Sequence, residues 1–451
     1  MSARTWTIAE LGRAIRSGRL SAESATRECL DRIAERNPTI NAYVTVLADE
    51  AIAQARQADA ELARGHDRGP LHGVPLSLKD IIDMRDVPTT AATRVRAGHV
   101  AGHDSPVVTR LREAGAVLLG KANLHEFAFG TTNEDSAFGP VRHPLDPNRS
   151  PGGSSGGSAA SVLDGMAYAS IGTDTGGSVR IPSAACGLVG LKPTFGEVPL
   201  DGIVPLSNTM DHVGPLCRSV EDAASVYDTL CGRPPHRRSA RSLQGLRIGV
   251  LRGYFTALLD PQVAAAFDSA CARLAGAGAI LGDAEIPHAS DIAPIYLHIV
   301  LSEAAALHAK TLDSHADAYT PNVRIRLEMG RYILAEDYVR ALRGRQILIE
   351  EVDAGLHRHD VLLLPSLAVP AVRLGAVAIK IGAVEEPVRN LTLRLTQLFN
   401  ITGHPAITLP CGATTDGLPI GAQLVGARNQ TDALLSAAAA AEGCFVATSR
   451  L

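Results

Sequence analysis

"SPGGSSGGSAAS", residues Ser150–Ser161, places five serines and four glycines in twelve positions. A second run, "GTDTGGSVR" at Gly172–Arg180, begins after ten intervening residues. Glycine is costly to order and serine adds little to a hydrophobic core, so such runs are usually linkers. The segment that joins these two, "VLDGMAYASI", is apolar and is predicted to be core. Both runs are therefore expected to lie inside a folded domain.

Two other Gly/Ser-rich motifs are weaker interpretations of these runs. A phosphate-binding P-loop requires GxxxxGK[ST], and no lysine follows either glycine pair. Residues 152–156 match the G-x-S-x-G pattern of a nucleophile elbow, which requires an acid and then a histidine downstream. The pair Asp211–His212 is not diagnostic of such a triad, and the pattern arises easily by chance in a Gly/Ser-rich run.

Composition favours a large cytoplasmic globular protein. The 451 residues are 46% hydrophobic and carry a net charge of −4, which allows a sizeable core. The densest basic stretch, "RPPHRRSAR" at Arg233–Arg241, is interpreted as a solvated linker, so no nucleic-acid surface is expected. The seven cysteines include no CxxC pair and are expected to be reduced thiols. The N-terminus has no apolar segment typical of a signal peptide, and no apolar run approaches about 18 residues, so we expect neither a signal peptide nor a membrane span. Cys and His residues do not cluster, and we expect no metal or other cofactor.

Strand-like and helix-like segments alternate along the chain. Short apolar runs predict strands in "GVPLSLKDII", "AGAVLLGKAN", "AYASIGTDT", "LRIGVL", "DVLLLPS", "PAITLP" and "IGAQLVG". Helices are predicted over "SAESATRECLDRIAERNP", with Ser21 as its cap and Pro38 just beyond its end, over "DEAIAQARQADAELARG", and near 262–276, 297–312 and 336–356. Polar, Pro-rich residues 233–244 are a predicted connection. This alternation predicts an α/β sandwich around a mixed sheet.

Three motifs together carry a resemblance to a known family. "GVPLSLKD", "PGGSSGGSAA" and "GTDTGGSVRIPSAACGLVGLKPT" resemble the amidase signature family of serine hydrolases, in the family's order. The similarity continues to "PAITLPCG" and "PIGAQLVG", nearly the whole chain. The resemblance implies one α/β/α sandwich domain over residues 1–451, with a central mixed, twisted β-sheet. Its parts would be an N-terminal helical part at about 1–66, a signature core at about 67–232 and a C-terminal part at about 245–451.

The same resemblance implies a Ser–cis-Ser–Lys triad in which Lys79 is the base, Ser154 the cis serine and Ser178 the nucleophile. A serine hydroxyl is a poor nucleophile until a base removes its proton, and a lysine can be that base when it is neutral. Lysine has a reference pKa of about 10.4, and lowering it by roughly 3 units costs about 4 kcal/mol of differential solvation. The apolar neighbours in "VPLSLKDII" can desolvate Lys79, while Asp80 is expected on the opposite face of the strand.

The remaining site residues also follow from the resemblance. Backbone N–H groups are expected to form an oxyanion hole at Thr175, Gly176, Gly177 and Ser178, where a Cβ at either glycine would crowd the substrate carbonyl. Supporting roles are expected for Gly153, which lowers the steric load before Ser154, for Ser155 as a hydrogen-bonding brace, and for Asp174 and Arg180 as an ion pair. Substrate-binding residues are expected at Phe129, Gly130 and Thr131; for Phe129 and the nearby Phe127, ordinary core packing is an equal alternative.

One position bears on the substrate. The A subunits of glutamyl-tRNA amidotransferases carry an acid seven residues before the asparagine of an N-x-x-G-x-P segment, and the acid holds the amino group of glutamine. Here that segment is "FNITGHP" and the position is Leu393. The expectation is therefore a stand-alone amidase that acts on uncharged small-molecule amides, and also on carbamates, ureas or esters, as a monomer or homodimer. The alternative is the glutamine-hydrolysing component of a larger amidotransferase.

Overall fold

The structure, a computed structural model, describes residues 5–236, 238 and 240–445. Its strands are β1 Tyr43–Val46, β2 Pro75–Lys79, β3 Val117–Ala122, β4 Ala169–Thr173, β5 Val189–Lys192, β6 Val213–Cys217, β7 Arg247–Leu251, β8 Ile280–Ala284, β9 Val361–Pro365, β10 Ala378–Ile381, β11 Val384–Pro387, β12 Ala406–Ala413 and β13 Pro419–Val425. Eleven of them form one sheet in the order β1-β3-β2-β4-β6-β5-β12-β13-β9-β7-β8, and β10 and β11 form a separate hairpin.

The large sheet is mixed. Strand β2 is parallel to both β3 and β4, and β7 is parallel to both β8 and β9. Between these two groups, β6, β5, β12 and β13 pair antiparallel with their neighbours. The antiparallel pair of β5 and β12 joins the strands of the first half of the chain to those of the second.

Helices flank the sheet, which confirms the predicted α/β architecture. They are α1 Ile8–Arg16, α2 Ala22–Ile40, α3 Ala48–Ala63, α4 Pro106–Glu113, α5 Gly156–Leu163, α6 Arg180–Ala185, α7 Val220–Leu230, α8 Pro261–Gly276, α9 Ile292–His315, α10 Pro321–Gly330, α11 Ala335–Arg358, α12 Val388–Leu393, α13 Leu398–Ile401 and α14 Thr431–Phe445. Each of the strands and helices named from the sequence has a counterpart here, with shifted ends.

Two local predictions need correction. Pro38 lies inside the last turn of α2, not beyond it, because a proline removes only the hydrogen bond of its own nitrogen and the helix continues to Ile40. The connection at 233–244 is also not simply solvated. The side chain of Arg238 is only 8% exposed and donates to Asp228 and Asp432, which ties the connection to α7 and α14. Residues 237 and 239 of this predicted connection lie outside the described residues.

One helical segment of the described residues, Ala289–Ala318, is long and apolar enough to cross a membrane by length and composition. More than half of its most apolar window is buried inside the protein, and α9 within it packs against α10, α11 and α13. Ile299, Val300 and Ala304 of this helix are fully buried in the main hydrophobic cluster. The segment is therefore a core helix, which the apolar pattern of the sequence alone does not distinguish from a membrane span.

Candidate active site

Lys79 ends β2, a strand whose five residues are all buried because it lies between β3 and β4. Its Nζ donates to Ser154 Oγ at 2.7 Å and to Thr173 Oγ1 at 2.8 Å. Burial lowers the pKa of Lys79 to about 7, and the negative charges of Asp174 and Asp211 oppose this shift only in part. Asp80 points the other way, into an ion pair with Lys121 at 3.1 Å. The amine is therefore desolvated and within hydrogen-bonding distance of a serine hydroxyl.

Ser154 lies in the first Gly/Ser run, directly before α5. The Gly153–Ser154 peptide bond is cis, and the carbonyl of Ser154 accepts a hydrogen bond from His125 N at 3.0 Å. A Cβ on Gly153 would lie 2.8 Å from Asn133 N and 3.0 Å from Thr132 N, so glycine is required for this close approach of two backbones. The run is a tightly packed turn of the core.

Ser178 lies in the second run, between β4 and α6. Its carbonyl accepts from Ser155 N at 3.3 Å, which holds the two Gly/Ser runs against each other. Ser155 also donates its hydroxyl to the Thr173 carbonyl at 3.2 Å, at the residue that Lys79 contacts. Ser178 is 5% exposed and lines a narrow pocket. The structure thus brings the three motifs that contain Lys79, Ser154 and Ser178 to one place.

The segment Thr175–Ser178 has free backbone donors. None of its four N–H groups donates a hydrogen bond to another residue in the part of the chain that the structure describes. Thr175 is anchored by its side chain, which donates to Asp211 at 2.6 Å, and the Gly176 carbonyl accepts from Thr396 Oγ1 at 2.6 Å. The loop is therefore held by its side chains and carbonyls, and its N–H groups remain available.

Packing within the protein is an additional reason for glycine in this loop. A Cβ on Gly176 would lie 2.9 Å from Tyr296 Cζ and 3.0 Å from Leu393 Cδ2. Gly177 has φ of +137°, and its Cβ would lie 2.7 Å from Thr396 Cβ. A Cβ at either glycine would therefore crowd protein side chains, and the crowding of a substrate carbonyl stays a prediction.

Asp174 and Arg180 form a fully buried ion pair beneath the loop, with Nε to Oδ2 at 3.1 Å and Nη2 to Oδ1 at 3.0 Å. Asn400 adds a hydrogen bond to Asp174 Oδ1 at 2.8 Å. Burial alone would raise the pKa of Asp174, but Arg180 outweighs it and holds that pKa well below its usual range. The pair braces both ends of the segment that contains Ser178.

The narrow pocket beside Ser178 contains all three residues expected to bind substrate, Phe129, Gly130 and Thr131. Phe127 is different: its ring packs on His308 and Tyr319, with ring centroids 4.3 and 5.4 Å apart, so it belongs to the core.

Several residues at the site were not predicted from the sequence. Thr173 accepts a hydrogen bond from Lys79. Asp211 and Thr396 anchor the loop of residues 175–178, and Tyr296 and Arg389 line the pocket. Thr173 could have been found, because it lies within the second Gly/Ser run. The others come from distant segments without a recognisable motif.

The Amidase family profile matches residues 24–435 of the chain. The chain is 42% identical to an amidase of Pseudomonas putida, over 91% of this chain and 90% of that protein. It is 35% identical to the A subunit of the glutamyl-tRNA(Gln) amidotransferase of Koribacter versatilis, over 96% and 97% of the two chains. A crystal structure of an amidase superposes with a TM-score of 0.92 at 35% identity, covering 98% of this chain and all of the other. The chain therefore belongs to the amidase family, whose members act on the carbon–nitrogen bonds of small amides.

Proposed function

Starting from that membership, we propose that this chain is a serine hydrolase that cleaves amides through an acyl-enzyme. The observation that carries the proposal is the 2.7 Å hydrogen bond from Lys79 Nζ to Ser154 Oγ, made by a lysine whose pKa burial lowers to about 7. A lysine with that pKa is substantially neutral at physiological pH and can accept a proton.

In the proposed reaction, Ser178 Oγ attacks the amide carbonyl and its proton passes through Ser154 to the neutral amine of Lys79. The proton then returns through Ser154 to the departing nitrogen, so that the amine leaves neutral and the acyl group stays on Ser178. Water attacks this ester in the second half, and the same two residues move its proton. The Lys79–Ser154 hydrogen bond supports the relay, and the Ser155–Ser178 backbone bond supports its continuation to the nucleophile.

The four unpaired N–H groups of residues 175–178 support an oxyanion hole in the same proposal. Donors that are already oriented before the reaction stabilise the negative charge on the tetrahedral intermediate without further reorganisation. Asp211, Thr396 and the Asp174–Arg180 pair would hold these donors in place.

The proposed substrates are small amides that carry no ammonium group, together with carbamates, ureas and activated esters that share the same carbonyl chemistry. Leu393 lines the pocket beside Ser178, so an apolar side chain stands at the position where the family resemblance implies an acid in glutamine-hydrolysing A subunits. An unpaired ammonium would lose its hydration there without compensation. We further propose that the enzyme is cytoplasmic, acts as a monomer or homodimer, and binds neither nucleic acid, membrane nor cofactor.

A glutamine-hydrolysing component of an amidotransferase is the second candidate. It is favoured by the 35% identity to such a component over nearly the full length of both chains. Leu393 argues against it. The purified chain separates the two, because a stand-alone amidase is active without a partner.

The test is a panel of amides, carbamates, ureas, esters and glutamine, assayed with the purified chain and with Lys79→Ala, Ser154→Ala and Ser178→Ala. Ser178→Ala should abolish the acyl-enzyme seen by intact-protein mass spectrometry, and Lys79→Ala should lower kcat by several orders of magnitude because triad members act as a unit. Ser154→Ala should be severe but can retain some activity through a water relay. If Lys79→Ala keeps more than about a tenth of wild-type kcat, the base assignment is wrong. Efficient glutamine hydrolysis would favour the second candidate.

A further inference from the structure

Arg389 stands at the boundary of two cavities. It lies in the first turn of α12 and, with Leu393 one turn later, lines the narrow pocket that contains Ser178. The same two residues also line a neighbouring cavity of about 440 Å³, here called the outer cavity, whose wall includes Tyr254, Leu297, Asn390 and Arg394. A substrate that extends from Ser178 into the outer cavity would therefore pass the Arg389 guanidinium.

The charge of Arg389 is not matched by any group in the part of the chain that the structure describes. Its side chain forms no hydrogen bond and no salt bridge with any residue in the described ranges, and its Nε is completely buried without a partner. Burial lowers the pKa of Arg389, and Tyr296 opposes that shift. A half-buried guanidinium whose Nε has neither a partner nor a counter-charge is unfavourable, and an anionic ligand would relieve that cost.

Neighbouring arginines are satisfied in ways that Arg389 is not. Arg394, in the same outer cavity, donates to the Tyr254 carbonyl at 2.8 and 3.2 Å and stacks over that ring at 3.7 Å. Arg326 donates to the Phe129 carbonyl at 2.6 Å. Burial and then repulsion from Arg389 lower the pKa of Arg326 to about 10, so a second positive charge acts on the same region.

A second unused donor faces the same pocket. The Tyr296 hydroxyl forms no hydrogen bond to another described residue, and its ring would contact a Cβ on Gly176. Burial raises the pKa of Tyr296 to about 12, so the hydroxyl keeps its proton at neutral pH. Glu386 is the carboxylate that lines the outer cavity, but it accepts from Asn390 at 3.3 Å and forms no ion pair with Arg389. The narrow pocket beside Ser178 thus presents a guanidinium and a hydroxyl donor, and no acid is among the described residues that line it.

We propose that the preferred substrates are amides that carry a carboxylate, which Arg389 and Tyr296 bind while Ser178 attacks the amide carbonyl. The inference rests on the proposed function and deepens it. It also revises the expectation of uncharged substrates, which depended on Leu393: an apolar residue there disfavours an ammonium but says nothing against an anion. A guanidinium and a tyrosine hydroxyl are complementary to the two oxygens of a carboxylate.

The experiment compares matched pairs of substrates that differ only in charge. Monoamides of succinate, glutarate and adipate are assayed beside the neutral amides in which a methyl ketone replaces the carboxylate. N-acetylglycine and its methyl-ketone counterpart place the carboxylate on the leaving group instead. In each series the ratio of kcat/KM for the anionic and neutral members is measured, so that general losses of activity cancel.

Wild-type enzyme should prefer the anionic member of at least one series by about tenfold or more, the usual worth of a charge-assisted hydrogen bond. Arg389→Gln should bring that ratio to about one, mainly through KM, and Arg389→Lys should retain part of it. Arg340→Gln is the control, because that exposed guanidinium is paired with Asp337 and lines neither cavity, and it should keep the wild-type ratio. If Arg389→Gln does not fold, the kcat/KM ratios of the wild type and of Arg389→Lys still test whether Arg389 binds the carboxylate.

Calorimetric binding of succinate, glutarate and adipate to wild-type and Arg389→Gln protein separates this inference from the proposed function. Binding that depends on Arg389 supports the anion site even if no amide in the panel is hydrolysed, in which case the proposed function fails alone. Hydrolysis of both members at equal kcat/KM, with no dicarboxylate binding, overturns the anion site and leaves the amidase assignment intact.

Discussion

Replacing Lys79 with methionine should change how the stability of the protein depends on pH. The amine is completely buried, and burial lowers its pKa from the usual 10.5 to about 7. The unfolded chain therefore keeps the lysine proton over an interval in which the folded protein has already lost it. Because the unfolded state binds more protons there, the free energy of unfolding of the wild type rises with pH between about 7 and 10.

The size of the effect follows from the same values. Each pH unit inside this interval adds at most about 1.4 kcal/mol to the free energy of unfolding of the wild type. At pH 7 the folded lysine is about half protonated and by pH 9 it is almost entirely neutral, so the wild type gains about 2 kcal/mol relative to Lys79→Met over this range. The hydrogen bonds to Ser154 and Thr173 are lost in the variant at every pH, so their loss lowers its free energy of unfolding by the same amount throughout and does not change the slope against pH.

Equilibrium urea unfolding at pH 7 and pH 9 measures this difference, with tryptophan fluorescence and circular dichroism as independent probes. Lys380→Met is the matched control, since Lys380 is exposed on β10 and its replacement should leave the pH dependence parallel to that of the wild type. If Lys79→Met also runs parallel to the wild type, Lys79 is charged in the folded protein at pH 7 to 9. The lysine could not then act as the proposed base, and the reasoning from burial would be refuted.

Two further predictions concern catalysis and the buried ion pair. The kcat/KM for a neutral amide should rise through about pH 7, because the neutral fraction of Lys79 increases as the pH rises through its pKa. EDTA should have no effect on activity, and a loss of activity in EDTA that zinc restores would contradict the serine mechanism. Arg180→Met should lower the free energy of unfolding by about 3–5 kcal/mol in urea, since it leaves the Asp174 carboxylate buried and unpaired. Adding Asp174→Asn should recover part of this loss, and a double variant no more stable than Arg180→Met would show that the unpaired charge is not its cause.

Much of the fold could be predicted because its elements are short and strongly patterned. The run around Leu363 is apolar on both faces, as expected for a strand buried within a sheet, whereas Leu76 and Leu78 alternate with Ser77 and Lys79. Both runs, and the short run around Ile171, are strands in the structure. Helix ends were less predictable, as Pro38 in α2 illustrates, because local hydrogen bonds around the proline decide where the helix stops. The division of the chain into a helical part, a signature core and a C-terminal part stays a prediction.

The family and the residues that the proposed mechanism needs could be inferred from the amino-acid sequence, because Lys79, Ser154 and Ser178 lie in short motifs with distinctive spacing. The groups that surround these three residues became known only from the folded structure. Tyr296 on α9 and Arg389 on α12 come to the pocket of Ser178 from segments more than a hundred residues away in the chain. Whether an arginine is paired depends on which groups long-range packing places beside it, and no local pattern in the sequence encodes that. The sequence therefore indicates the reaction, while the charge of the proposed substrate depends on the folded chain.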